Sequence, residues 1–201
     1  MVVGPDGLAR CPWPGADPDY VTYHDDEWAR PTRSEQALFE KLCLEAFQAG
    51  LSWLTILRKR DGFRRAFHGF DPVAVAALGA SDVTRLLEDR AIVRNRAKID
   101  ATIANARALL ALHEAGATLS GLVWAHQPST TPRPPRRMAD VPAATTGSAQ
   151  LSAALKARGF RFVGPTTCYA LMQAMGVVND HLVGCWTRDA AGGEAAARAR
   201  P

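Results

Sequence analysis

Glu45 stands where an apolar side chain is expected. Leu38, Leu42, Glu45 and Ala49 fall at i, i+4, i+7 and i+11, which is one face of a helix. A carboxylate on a buried face must be paired, hydrogen-bonded or neutralised. Trp53, beyond the break at Gly50, offers a flat indole. A carboxylate and an indole beside a Gly-broken turn can bind a flat, nitrogen-rich ligand. A lone Glu at such a position can equally be a boundary residue that snorkels or pairs with a nearby Arg.

A second constellation has metal chemistry. His181-x-x-x-Cys185 puts two donors on one face of a helical turn, and Cys11-x12-His24 supplies another pair near the opposite end. Together they make a Cys2His2 set that suits tetrahedral zinc. Four protein donors leave no open position, so such a site would be structural. Ordinary packed residues can show the same spacing. Cys43 and Cys168 sit in apolar helices and read as buried thiols.

The elements that must position these groups are helices. Residues 11–31 hold Trp13, Tyr20, Tyr23 and Trp28 among four prolines, which argue against a long element. Thr32-x-x-Glu35 reads as a capping box opening a helix over 33–49. Ser52 caps a second, 53–67. Asp71-Pro72 opens a short one, Ser81 caps 82–89, and the longest runs over 95–114 until Gly116. Short helical stretches follow at 120–125, 148–158 and 166–175, and a last turn carries His181 and Cys185. Residues 127–147 are Pro-rich and irregular, and 160–163 have strand character. No repeats or alternating strands occur, so the fold class is all-α, with one domain over 11–186, a frayed 1–10 and a disordered tail over 187–201.

The helix 82–89, connection 90–94 and helix 95–114 have the outline of a helix–hairpin–helix. In that motif, backbone N–H groups and the N-terminus of the second helix meet a phosphate. Arg94, Arg96 and Lys98 add charge around it. An ordinary helical hairpin has the same outline. The net charge of +4 and pI near 9.1 permit a polyanion partner without demanding one. The first ten residues hold no signal-like apolar run and no stretch is apolar enough to span a membrane, so a cytoplasmic protein is expected. Scattered cysteines do not read as a disulfide framework.

Several strings coincide: Tyr23-His24-Asp25-x-Glu27-Trp28, Leu44-Glu45-x-x-Gln48-Ala49-Gly50-Leu51-Ser52-Trp53, Arg158-Gly159-Phe160-x-Phe162-Val163-Gly164 and Val178-Asn179-Asp180-His181. Over residues 11–186 the chain resembles the constitutive bacterial 3-methyladenine DNA glycosylases of type I. The resemblance implies a helix–hairpin–helix glycosylase fold with one structural zinc on Cys11, His24, His181 and Cys185. It implies that Glu45 and Tyr23 hydrogen-bond the excised base, Glu45 being the catalytic candidate. Trp53 stacks on the base, and Trp13, Tyr20 and Trp28 complete the pocket. Gly50, Leu51, Ile92, Arg94, Arg96 and Lys98 are the expected DNA contacts. The expected partner is double-stranded DNA with alkylated bases, met by a monomer in the cytoplasm at the nucleoid. No lyase step is expected, because no Lys stands in the hairpin itself.

Two departures matter. Ala91 stands where the hairpin usually has Gly, and the segment after Trp124 is short. Two rival readings remain: a zinc-stabilised DNA-binding module without catalysis, and a hydrolase that uses the metal directly. The intact pocket set argues against the first and the closed four-donor set against the second.

Overall fold

The computed structural model describes residues 1–130 and 132–189. Among these, a two-strand antiparallel ribbon, β1 (Val2–Val3) with β2 (Ala9–Arg10), precedes nine helices: α1 (Pro18–Asp26), α2 (Glu35–Gln48), α3 (Trp53–Ala66), α4 (Pro72–Ala76), α5 (Ala80–Glu88), α6 (Arg96–Glu114), α7 (Leu119–Trp124), α8 (Thr146–Lys156) and α9 (Pro165–Ala174). The architecture is helical, as expected. Within residues 1–10, expected to fray, the end of the segment is anchored. Arg10 is buried, and its guanidinium pairs with Asp6 at 2.6 Å and with Asp25 of α1 at 2.8 Å.

α2 is the axis of the domain. It is apolar around most of its circumference and packs against α3, α6, α7 and α9, as a helix without a solvent face must. Leu38, Phe39, Leu42, Cys43 and Phe47 are fully buried, and Phe47 leads into an aromatic stack of Phe63, Phe67 and Phe70. Each such side chain contributes roughly 1.5–3 kcal/mol by leaving water.

The start of α2 differs from expectation. Ser34, not Thr32, is the N-cap and accepts from the Ala37 N–H. Glu35 instead reaches across to the N-terminus of α7, accepting from the Leu119 and Ser120 N–H groups at 2.9 and 2.6 Å. Those orphan donors sit at the positive end of a helix dipole, which draws the carboxylate away from its own cap.

α1 lies in the segment whose prolines argued against a helix. Pro18 occupies the first helical position, where its missing N–H is not needed, and Asp17 caps it. Tyr20, Tyr23 and His24 thereby share one face.

Other boundaries shift for local reasons. Thr145 caps α8, with Ser148 bonding back to the Thr145 N–H. Residues 160–163 form no strand; the Asn105 side chain pairs with both the N–H and the C=O of Arg161, taking the place of a ladder partner. The segment 179–189 is turn rather than helix. Its described part is packed: Thr187 is fully buried and Asn179 donates to the Arg188 carbonyl. Residues 187–189, expected to belong to a disordered tail, are thus part of this packed turn; residues 190–201 lie outside the described residues.

Candidate active site

A cavity of about 250 Å³ opens between α1, α2, α9 and the loop after α7, and Trp13, Tyr20, Tyr23, Trp28, Glu45 and Trp53, all six predicted pocket residues, line it. α1 delivers Tyr20 and Tyr23, α2 delivers Glu45, and α3 delivers Trp53 one residue after its Ser52 cap. Trp13 anchors the aromatic wall edge-on, 4.9 Å from Tyr20 and 5.2 Å from Trp28 between ring centroids. The indole N–H of Trp53 is buried without a hydrogen-bond partner among the described residues.

Glu45 is 6% exposed and has no hydrogen bond or ion pair within the described residues. Burial pushes its carboxyl up to about 7, while the charge of Lys41, one turn earlier on α2, pulls it back. Burial likewise holds the Tyr23 phenol well above its ordinary range, reinforced by the Glu45 charge. The pocket therefore presents an acceptor with unfilled valence and a neutral hydroxyl, walled by aromatic faces.

Sequence reasoning missed four polar residues here. Gln48 lies three residues after Glu45 and lines the cavity, so the helical period could have found it. Lys41 lies four before Glu45 on the same face. Gln173 and Asp180 arrive from the other side, and Asp180 accepts from the Tyr169 hydroxyl at 2.6 Å and from Gln173 at 2.8 Å. Only tertiary packing brings that pair to the cavity.

Of the predicted DNA contacts, Gly50 and Leu51 form the exposed turn between α2 and α3. Gly50 has φ +82°, and Leu51 is 42% exposed. Arg94 and Arg96 are exposed on the connection before α6 and in its first turn. Two others are placed elsewhere. Ile92 is buried in the core, so its side chain offers nothing to a ligand. Lys98 is buried too, and its ammonium donates to the carbonyls of Phe47 and Ala49 at 2.7 and 2.6 Å. It closes the C-terminal end of α2, where helix carbonyls lack partners and a cation is favoured.

Cys11, His24, His181 and Cys185 converge. Their donor atoms lie within 4.8 Å of one another and all four residues are buried. The Cys185 sulfur is 3.5 Å from His24 Nε2 and 3.5 Å from His181 Nδ1, and Cys11 Sγ is 3.8 Å from the same Nδ1. Bonds of about 2.0–2.3 Å to a tetrahedral centre give edges of roughly 3.5 Å, so the set can hold a metal ion. The outward nitrogens are engaged as metal-bound imidazoles require: His24 Nδ1 meets Asp25 at 2.8 Å, and His181 Nε2 lies 3.4 Å from the Trp28 carbonyl. Interaction with Cys185 pushes the Cys11 thiol up, and interaction with Cys11, helped by the two imidazoles, pulls Cys185 down.

A sequence model of the methyladenine glycosylases matches residues 13–188. DNA-3-methyladenine glycosylase 1 of Escherichia coli K12 is 50% identical over 181 residues, covering 89% of this chain and 96% of the relative. A crystal structure of 3-methyladenine DNA glycosylase I superposes with a TM-score of 0.86 at 46% identity, covering 89% of this chain and 98% of that one. The Staphylococcus aureus 3-methyladenine DNA glycosylase I, whose structure was solved for its recognition of 3-methyladenine, superposes with a TM-score of 0.85 at 34% identity, covering 89% of this chain and 96% of that one. The chain thus belongs to the methyladenine glycosylase family, enzymes that hydrolyse N-glycosyl bonds.

Proposed function

We propose that this enzyme excises 3-methyladenine from alkylated double-stranded DNA by hydrolysis and leaves an abasic site. The observation that carries the reading is Glu45: a buried carboxylate with no hydrogen-bond or ion-pair partner among the described residues, lining an aromatic-walled cavity. Such a group is costly unless a ligand completes it. A base in a duplex must leave the stack to reach such a cavity. In DNA, 3-methyladenine carries a delocalised positive charge and departs as a neutral base. The ring faces of Trp53 and Trp13 favour that cation. Glu45 and Tyr23 hydrogen-bond the base edge, with Tyr20 and Trp28 completing the wall, and water takes the sugar C1′.

α5, the connection 89–95 and α6 act as a helix–hairpin–helix that grips the phosphate backbone, with Arg94 and Arg96 as its cations and the Gly50–Leu51 turn against the strand. Cys11, His24, His181 and Cys185 hold one structural zinc, which fits a closed set of two sulfurs and two nitrogens. The enzyme is monofunctional: Lys98, the lysine next to the hairpin in sequence, has its ammonium held by two carbonyls. It acts as a monomer in the cytoplasm; no helix of the described residues is long and apolar enough to cross a membrane.

Chromatography of bases released from methylated duplex DNA tests the proposal. Free 3-methyladenine, with 7-methylguanine left in place and no borohydride-trapped adduct, is the expected result. DNA that is bound but releases nothing would instead support a non-catalytic binding module.

A further inference from the structure

Lys41 takes no part in the chemistry set out above, yet it is buried against the pocket wall. Its ammonium donates to the Tyr23 hydroxyl at 2.8 Å. It also lies over the rings of Trp53 and Tyr23, 4.0 and 4.6 Å from their centroids. An ammonium carries only donors, whereas a phenol has one hydrogen and two lone pairs. At this contact Lys41 donates and the Tyr23 oxygen accepts, so the Tyr23 hydrogen must point away from Lys41. No other group among the described residues bonds that hydroxyl. Tyr23 lines the cavity, which is where a partner for the hydrogen can arrive.

We propose that Lys41 is a positioning residue that fixes the Tyr23 hydroxyl as a hydrogen-bond donor to the bound base. The base it serves rests on the glycosylase reading above. With Glu45 as acceptor, the pocket then matches a base edge that presents one acceptor and one amino group. A neutral lysine would lose this control, because an amine has a lone pair and can accept the Tyr23 proton itself. The groups that act on Lys41 are Glu45 and Glu40 on its own helix, Glu27 on α1 and Arg60 on α3, besides Tyr23. Glu27 is engaged by Arg60 and Glu40 by Arg64, which leaves Glu45 as the unpaired carboxylate among them. Burial lowers Lys41 to about 8 against the pull of Glu45, so the ammonium form holds at neutral pH.

The test is a double-mutant cycle of Lys41→Met and Tyr23→Phe, read as affinity for free 3-methyladenine by calorimetry across pH. Lys41→Met should weaken binding about ten- to a hundredfold, as loss of a charge-assisted hydrogen-bond arrangement does. In the Tyr23→Phe background the same change should cost only about twofold, because the hydroxyl it acts through is gone. Native affinity should also fall as pH rises past about 8, and Lys41→Met should lack that limb. Equal penalties in both backgrounds, or an alkaline limb that survives Lys41→Met, would reduce Lys41 to packing. Should the variants not fold, ¹⁵N-lysine NMR of the native protein decides: 3-methyladenine must shift the Lys41 ammonium signal, and an unmoved signal overturns the role. Native protein that binds the base in this Lys41-dependent way but releases none from DNA would sink the glycosylase reading and leave the Lys41 role standing. Native protein that does not bind the free base overturns both.

Discussion

Gly62 on α3 faces Ala91 of the connection before α6 so closely that a Cβ on Gly62 would stand 2.5 Å from the Ala91 carbonyl oxygen and 2.8 Å from its methyl carbon. Ala91 is not among the residues with positive φ, so its backbone conformation suits an alanine as well as a glycine. The room for its methyl comes from the bare Cα of Gly62. Gly62→Ala should therefore destabilise the fold by about 1–3 kcal/mol, as overpacking does. Adding Ala91→Gly should recover only part, since the carbonyl contact remains. Urea unfolding of the two variants checks both statements.

Glu45→Gln separates activity from stability. The folded carboxyl holds its proton up to about 7 against an ordinary 4.5, so between those values the folded state binds more protons than the unfolded one. Stability therefore falls as pH rises through that window, by something on the order of 3 kcal/mol in full. The glutamine variant should lack this fall and be more stable than the native enzyme at pH 8. Its base release should drop by about a hundredfold or more. A variant that is less stable at pH 8, or that keeps full activity, would remove Glu45 from the site.

Metal analysis should find one zinc per chain, and Cys185→Ser should lose it together with several kcal/mol of stability, on the order seen when structural zinc binding is coupled to folding. In a chelator titration, base release should decline along the same curve as helical signal. Activity lost while the fold persists would mark the metal as catalytic.

The cations divide into two kinds. Arg94→Ala and Arg96→Ala should each weaken DNA binding and lower the slope of log K against log salt by about one. Lys98→Met should leave that slope unchanged and cost about 1–3 kcal/mol of stability, because the Phe47 and Ala49 carbonyls lose their donor. Parallel salt titrations and thermal melts distinguish the two.

The difference between Lys98 and Arg94 was not legible in the sequence. Both lie in a basic run, and charge counting cannot tell an ammonium pointed at solvent from one turned into the end of a neighbouring helix. The helical period did reveal the face of α2 that carries Glu45, because burial there is a property of one element. It could have revealed Lys41 and Gln48 on the same argument. Gln173 and Asp180 could not be read that way, since their approach to Glu45 depends on how α9 and the following turn pack against α2. Proline density hid α1: the rule that prolines break helices is weakest at the first position, where Pro18 stands. For the four donors, spacing suggested two pairs but carried no information that the pairs meet.

The wall of the cavity runs from Trp13 to Asp180, and the donors that tie its two ends run from Cys11 to Cys185. During synthesis, the aromatic segment around Trp13, Tyr20 and Trp28 leaves the ribosome early and waits for its covering partners until nearly the whole chain has followed. A ribosome that stalls just short of Cys185 leaves a nascent chain with all nine described helices and the lining through Asp180, but without the last of the four donors that tie its two ends.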